Sequence, residues 1–219
     1  MTDIDKLFNE ADLAAVRAAV KEAEAATAGE IVPFVVPASD LYLSAVWKGT
    51  ALGALLGPLA ALAVFRFGGF WGGHLSFWIA LPAAAGAAVG HLLAALVPPV
   101  KRRLAGREML TSRVHQRATL AFLEEEVFHT RERTGILLFV SLFERRVVVL
   151  GDSGINRQVE TAHWNEVIDI VTRGLAAGRP GAALVAGIRK CGELLTRFGV
   201  AVRPDDSNEL SDELRRGDV

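Results

Sequence analysis

The residues most able to do chemistry in this 219-residue chain gather around Gly151-Asp152-Ser153-Gly154, just after the strand-like run Val147–Leu150. A serine between aspartate and glycine is the setting of the nucleophile in trypsin-like proteases, but that chemistry is excluded here. Its triad sits on two β-barrels with histidine and aspartate ahead of the serine. In this chain Thr161-Ala162-His163-Trp164 follows Ser153, and Ile155 stands where a second glycine belongs. The tetrapeptide reads instead as a turn leaving a strand. Gly151 and Gly154 are expected to take unusual backbone angles there, and Asp152 to bond neighbouring amides.

Such a turn can still hold a ligand, because α/β sheets bind ligands at the carboxyl ends of their strands. Besides Asp152, the relevant carboxylates are Glu30, at the start of the first strand, and Glu166 with Asp169, three apart on one helix face. An oxygen-rich set would suit Ca²⁺ or Mg²⁺. Against it, Glu30 is expected at the opposite sheet edge, and capping or solvated roles account for the same residues. His115, Phe122 and His129 recur every seven residues beside Val114, Ala118, Ala121 and Phe128. Glu125 or Glu126 with His129 has metal-pair spacing, but a di-iron bundle needs a second such motif, so these histidines read as packing residues. No Cys-x-x-Cys, P-loop or dinucleotide fingerprint occurs. The single cysteine, Cys191, excludes an intrachain disulfide and reads as a small buried residue.

The elements that must position these groups are interrupted by apolar sequence. Between Lys48 and Lys101 the only charged residue is Arg66, and Leu75–Val97 contains no Asp, Glu, Lys or Arg. Two such stretches around "RFGGFWGGH" read as a transmembrane hairpin, since a domain this small cannot bury two helices apolar on every face. Lys101, Arg102, Arg103, Arg107, Arg113 and Arg117 crowd the exit of the second span, whereas the inter-helix turn carries Arg66 and His74. Positive charge stays inside, which places both termini and the soluble domain in the cytoplasm of a multi-pass inner (cell) membrane protein. The N-terminus shows no cleavable signal, and Trp47, Phe65, Phe67, Phe70, Trp71, Phe77 and Trp78 form an interfacial belt.

Gly49, Gly53 and Gly57 in one span, and Gly86 and Gly90 in the other, repeat every fourth residue. Such a stripe packs the spans together or joins subunits as a homo-oligomer, and sequence does not choose. His91, near the inner end of its span, reads as bonding to headgroups or across the hairpin, with a proton relay as the alternative. A formal net charge of −1 provides no global attraction to nucleic acid or to a membrane surface.

Without the hairpin, the chain reads as α/β. Asp12–Ala26 is an amphipathic helix, "EIVPFVVP" a strand, and about Arg107–Arg131 a long helix. "GILLFVSLF" and "RVVVL" are strands joined at Glu144-Arg145, and helices follow near Ala162–Ala177 and Gly181–Phe198. The helical link makes the first two strands parallel, and the short reversal makes the third antiparallel. A small mixed sheet of three to four strands, flanked by helices (α/β/α), is expected. It divides into residues 1–44 and 101–203, the inserted hairpin at 45–100 and an acidic polar tail at 204–219.

The run from Val114 to Asn156, with "AEAATAGEIV", "HWNEVIDIV" and the helical period of Gly181–Leu195, resembles the TPM domain family, whose name includes "phosphatase". The matching positions are Thr27, Gly29 and Glu30; His115, Ala118 and Phe122; Thr134, Gly135 and Glu144; Gly151 to Ile155; Trp164 and Gly192; and Asn208-Glu209-Leu210. The chain departs from the pattern in lacking a strand before the first helix and in offering Glu160 and Thr161 where many members carry an aspartate. The resemblance implies a commonly membrane-tethered α/β/α domain. It implies either an accessory factor of a membrane complex or a divalent-metal-dependent acid phosphatase. In the second case Asp152 serves as metal ligand or nucleophile and His163 assists. Glu30 and Glu166 join the metal, and Gly151, Ser153, Gly154 and Arg145, with Arg131 and Arg133, hold the phosphoester.

Overall fold

A computed structural model describes residues 4–68, 75–200 and 209–218. Phe70, Trp71, His74 and Asn208, used above, lie outside the described residues. The chain divides into two compact units, Met1–Asp40 with Ser112–Val219, and Leu41–Thr111.

The first unit is a mixed α/β fold. Helices α1 (Ile4–Leu7) and α2 (Glu10–Glu24) lead into β1 (Glu30–Val36). Asn9 starts α2 through a capping box: its side chain accepts from the Asp12 amide at 2.8 Å, and the Asp12 carboxylate accepts from the Asn9 amide at 3.2 Å. Val16, Ala19, Val20 and Ala23, spaced along one face of α2, are buried. Strand β2 (Gly135–Ser141) lies parallel to β1 in the register Glu30↔Gly135 to Val36↔Ser141. Strand β3 (Arg146–Gly151) returns antiparallel, with Ile136 opposite Gly151.

Every residue of β1 and β2 is buried, because helices cover both faces of the sheet. Ile31, Val35, Ile136, Leu138 and Val140 meet α2, α8 (Trp164–Ala176) and α9 (Pro180–Arg197). Val32, Phe34, Val36, Leu137 and Phe139 meet Val114, Ala118 and Ala121 of a long helix that starts at Arg107. Burying each such Leu, Ile or Phe stabilises the fold by about 1.5–3 kcal/mol.

The described end of the acidic tail joins this sheet. Arg215–Arg216 forms a short strand parallel to β1, giving the order β3, β2, β1, then the C-terminal strand. Leu214 is buried, Arg215 contacts Glu125 at 2.6 Å, and Arg17 contacts Glu213 at 2.7 Å. Residues 209–218 are therefore docked and not a free polar tail: Glu213 and Arg215 face partners while Leu214 enters the core. The short strand also explains Pro33 inside β1. Ile31, on the same side, gives its amide to Glu24, and the C-terminal strand reaches only Phe34 and Val35, so the missing Pro33 donor breaks no ladder bond.

The second unit contains α3 (Leu43–Gly68), α4 (Leu75–Leu96), α5 (Pro98–Ala105) and the start of α6 (Arg107–Glu124). It is wider than the 45–100 read from sequence because α5 packs against both long helices. Leu43–Phe67 and Ser76–Leu96 are long and apolar enough to cross a membrane, with mean hydropathies of 1.7 and 1.8. Unlike core helices, they are largely exposed beyond their base, and Leu55, Leu59, Leu81 and Leu96 point outward.

The glycine stripe lies between α3 and α4. A Cβ on Gly53 would collide with the Gly86 carbonyl, one on Gly90 with the Gly49 carbonyl, and one on Gly57 with the Pro82 carbonyl. Backbones thus meet directly, as small-residue helix pairs do. Thr50 Oγ1 lies 3.1 Å from His91 Nδ1 across the hairpin, and 3.0 Å from the Val46 carbonyl. A hydroxyl has one proton, so when it goes to Val46 the imidazole donates from Nδ1.

Candidate functional site

The glycine turn lies at the end of β3, where β3 meets the start of β2. The Asp152 amide donates to the Gly135 carbonyl at 2.9 Å. Because β3 runs antiparallel to β1 and β2, its carboxyl end coincides with their amino ends. Glu30 pairs with Gly135 in the ladder, so Glu30 and Asp152 occupy the same sheet end, about two strand spacings apart. The opposite placement expected from sequence is corrected. The reason is the reversal at Glu144-Arg145, which turns the third strand's carboxyl end toward the first strand's start.

Asp152 is 6% exposed and does structural work. It caps the single turn α7 (Ser153–Asn156), its Oδ1 accepting from the Ser153 amide at 2.6 Å. Its Oδ2 lies 2.8 Å from Arg133 Nε without the alignment of a hydrogen bond, so that contact is an ion pair. Arg133 sits in the left-handed backbone region at φ 60°, its guanidinium 5.5 Å over the Phe128 ring, and its carbonyl accepts the Gly154 amide at 2.9 Å. A Cβ at Gly154 would collide with the carbonyls of Glu132 and Arg133. Positive φ values occur at neither Gly151 nor Gly154, so close approach, and not the unusual angles expected, selects glycine at 154. Beside this turn lies a cavity of about 420 Å³ whose lining includes Arg131, Glu132, Arg133, Gly154 and Arg157.

The other sequence-selected residues occupy separate places. Arg145, at φ 54° in the turn before β3, lies at the far end of that strand, roughly 20 Å from Asp152 at strand rise. It lines a different cavity of about 380 Å³ with Leu7, Leu142 and Leu175. Arg145 is therefore no part of the site around Asp152. Ser153 N is engaged by Asp152, and Gly151 O accepts from the Asn156 side chain at 2.5 Å. His163 precedes α8 and packs edge-on against Phe198, with ring centroids 4.5 Å apart and Nδ1 buried. Glu166 meets Lys190 at 2.9 Å, and Lys190 holds its carboxyl below the usual range. Glu30 accepts from the amides of Glu209 and Leu210 at 3.2 and 3.4 Å. Among the described residues, no group of three or more His, Cys, Asp or Glu side chains is arranged to hold a metal ion. Asp152, Glu30 and Glu166 each have their own partners.

Two carboxylates have no role assigned from sequence, although Glu144 is one of the positions that match the TPM pattern. Glu24 accepts from the Ile31 amide at 2.8 Å, and burial, with Glu30 and Asp212 nearby, pushes its carboxyl up to about 8. Glu144 is buried in the β2–β3 turn, where it accepts from Ser141 Oγ and from the Ser39 amide at 2.9 Å. Their partners lie on other elements, out of reach of a periodicity argument.

Fold and site together define a mixed α/β domain with an inserted pair of apolar helices. No protein-family model and no curated protein sequence matches the chain. Its fold is similar to the NMR structure of BA42 from the psychrophilic bacterium Bizionia argentinensis. That match has a TM-score of 0.59 and 18% sequence identity, and covers 99% of this chain and 100% of that one. At this identity the likeness is one of fold.

Proposed function

We propose that the chain is a membrane-anchored, TPM-like domain protein that serves as an accessory or assembly factor for a membrane complex. The α3–α4 hairpin crosses the bilayer, both termini lie in the cytoplasm, and the α/β domain contacts a membrane-protein partner. The observation that carries this reading is the state of Asp152, the residue best placed for catalysis. Its carboxylate is buried, caps α7 and is ion-paired with Arg133, a structural set of contacts. Support for the membrane part comes from two long apolar helices whose side chains face outward.

A divalent-metal-dependent phosphatase is the second reading, favoured by one observation. The cavity beside Asp152 presents Arg131, Arg133 and Arg157, groups suited to a phosphoryl oxygen. The full-length protein in mild detergent, assayed on a generic phosphoester with Ca²⁺ or Mg²⁺, separates the two. The accessory reading expects no turnover above background and co-purification of a stoichiometric membrane protein. Metal-dependent turnover that disappears in Asp152→Ala would establish the phosphatase instead.

A further inference from the structure

The base of the hairpin unit is strongly and one-sidedly charged. Its end away from the inter-helix turn carries Lys48, Lys101, Arg102, Arg103 and Arg107, and Glu108 is the only acidic residue between Leu41 and Thr111. The fold gathers these residues, because α5 does not continue α4. Val97 breaks the helix at φ −106° and ψ 99°, and Pro98-Pro99 start a new one, as proline at a first turn does. Helix α5 then packs on both α3 and α4, burying Ala105 and setting Leu104 against Gly49, where a Cβ would lie 3.3 Å from its Cδ1. Lys48 Nζ, from the start of α3, donates to the Leu104 carbonyl at the carboxyl end of α5 at 3.2 Å. That bond ties the first span's entry to the amphipathic helix after the second. Lys48, Arg103 and Arg107 are exposed, and Lys101 and Arg102 are partly exposed.

We propose that this basic base, formed by Lys48, Arg103 and Arg107 with Lys101 and Arg102 on α5, is a binding site for the headgroups of anionic phospholipids. A short amphipathic helix at the end of a span lies at headgroup depth, its apolar side on the hairpin and its cations among the phosphates. Lys and Arg stems lie along the apolar helices while their charged ends reach the lipid phosphates. Each cation near an anionic surface adds attraction, and the exposed ones, Lys48, Arg103 and Arg107, contribute most directly. The inference rests on the proposed membrane insertion and goes further, naming the lipid class and the residues that select it.

The test uses the full chain in bilayers of phosphatidylcholine containing about a fifth phosphatidylglycerol. Spin-labelled versions of both lipids report which is immobilised at the protein surface. The expected result is a preference for phosphatidylglycerol of about threefold or more, falling toward unity as salt is raised. Replacing Lys101, Arg102, Arg103 and Arg107 by Gln should abolish it, and Arg102→Lys with Arg103→Lys and Arg107→Lys should retain it. Equal association of the two lipids with the wild-type chain would overturn the proposal, as would a preference unchanged in the glutamine variant. Inorganic phosphate that abolishes the preference at constant ionic strength would assign the site to free phosphate and overturn it likewise. If the glutamine variant fails to fold, the lysine variant and the salt dependence of the wild type still decide. Resistance to alkaline extraction from pure phosphatidylcholine vesicles is measured in parallel. A wild-type chain extracted there sinks the membrane reading itself, whereas an inserted chain without lipid preference sinks this proposal alone.

Discussion

The two units bury their contacts by opposite means. In the α/β unit, branched and aromatic side chains fill the space between sheet and helices, and β1 and β2 are buried at every position. In the hairpin unit the side chains have been removed from the contact, so Gly49, Gly53 and Gly57 let two backbones touch, and the large residues point outward. The first arrangement draws its stability from excluding water, so the apolar groups must be inside. The second suits surroundings as apolar as leucine, where close packing and not burial holds helices together. On the proposed membrane reading, the difference is one of two solvents.

The comparison is broken most readily by truncating one leucine from each unit. Leu138→Ala, in the sheet, should cost about 2–5 kcal/mol, seen as loss of amide-exchange protection in β2. Leu59→Ala, outward on α3, should change stability in detergent by less than about 0.5 kcal/mol. Equal costs would mean that α3 is a water-excluded core helix. Next in size, Gly53→Val should cost about 1–3 kcal/mol and separate the hairpin helices, read as a lengthened distance between spin labels on α3 and α4. Unchanged distances would show that the glycine stripe is not the contact.

A smaller and pH-dependent effect sharpens the α/β side. Glu24 titrates near 8 in the folded chain against 4.5 as its ordinary value, chiefly because burial disfavours its charge. A raised folded pKa means that the folded state keeps the proton longer. Its stabilising contribution is complete below 4.5, is lost as pH rises from 4.5 toward 8, and changes no further above that. Glu24→Gln should remove this slope. It should make the α/β unit more stable than the parent by about 1–2 kcal/mol at pH values above 8, a figure discounted for partial exposure, with no gain below 4.5. A urea-melting series across that range checks it, and a variant equally stable or weaker at high pH removes the idea.

Much of the architecture was legible because it follows from local patterns. The runs Glu30–Val36 and Gly135–Ser141, the reversal at Glu144-Arg145 and the two apolar helices all announce themselves within a few residues. The long helix stops at Glu124 and not near Arg131, because Val127 is a buried core residue and its carbonyl lies against Gly135, while Glu126 turns at φ 51°. The site was less legible, because its geometry depends on partners far apart in the chain. That Asp152 faces Arg133, that Glu30 is held by the amides of Glu209 and Leu210, and that an acidic-looking terminus supplies a strand are long-range facts. A sheet's hydrogen-bond ladder fixes them, and periodicity does not report it.

The central claim, that α3 and α4 cross a bilayer within an otherwise cytoplasmic domain, is tested most directly by labelling introduced thiols in sealed vesicles of known orientation. In a Cys191→Ala background, Arg66→Cys marks the far end of α3 and Glu108→Cys the base of the unit. The expected result is that an impermeant maleimide reaches Arg66→Cys only from the outer side and Glu108→Cys only from the cytoplasmic side. Labelling of both from one side, or recovery of the protein in the aqueous fraction without detergent, would contradict it.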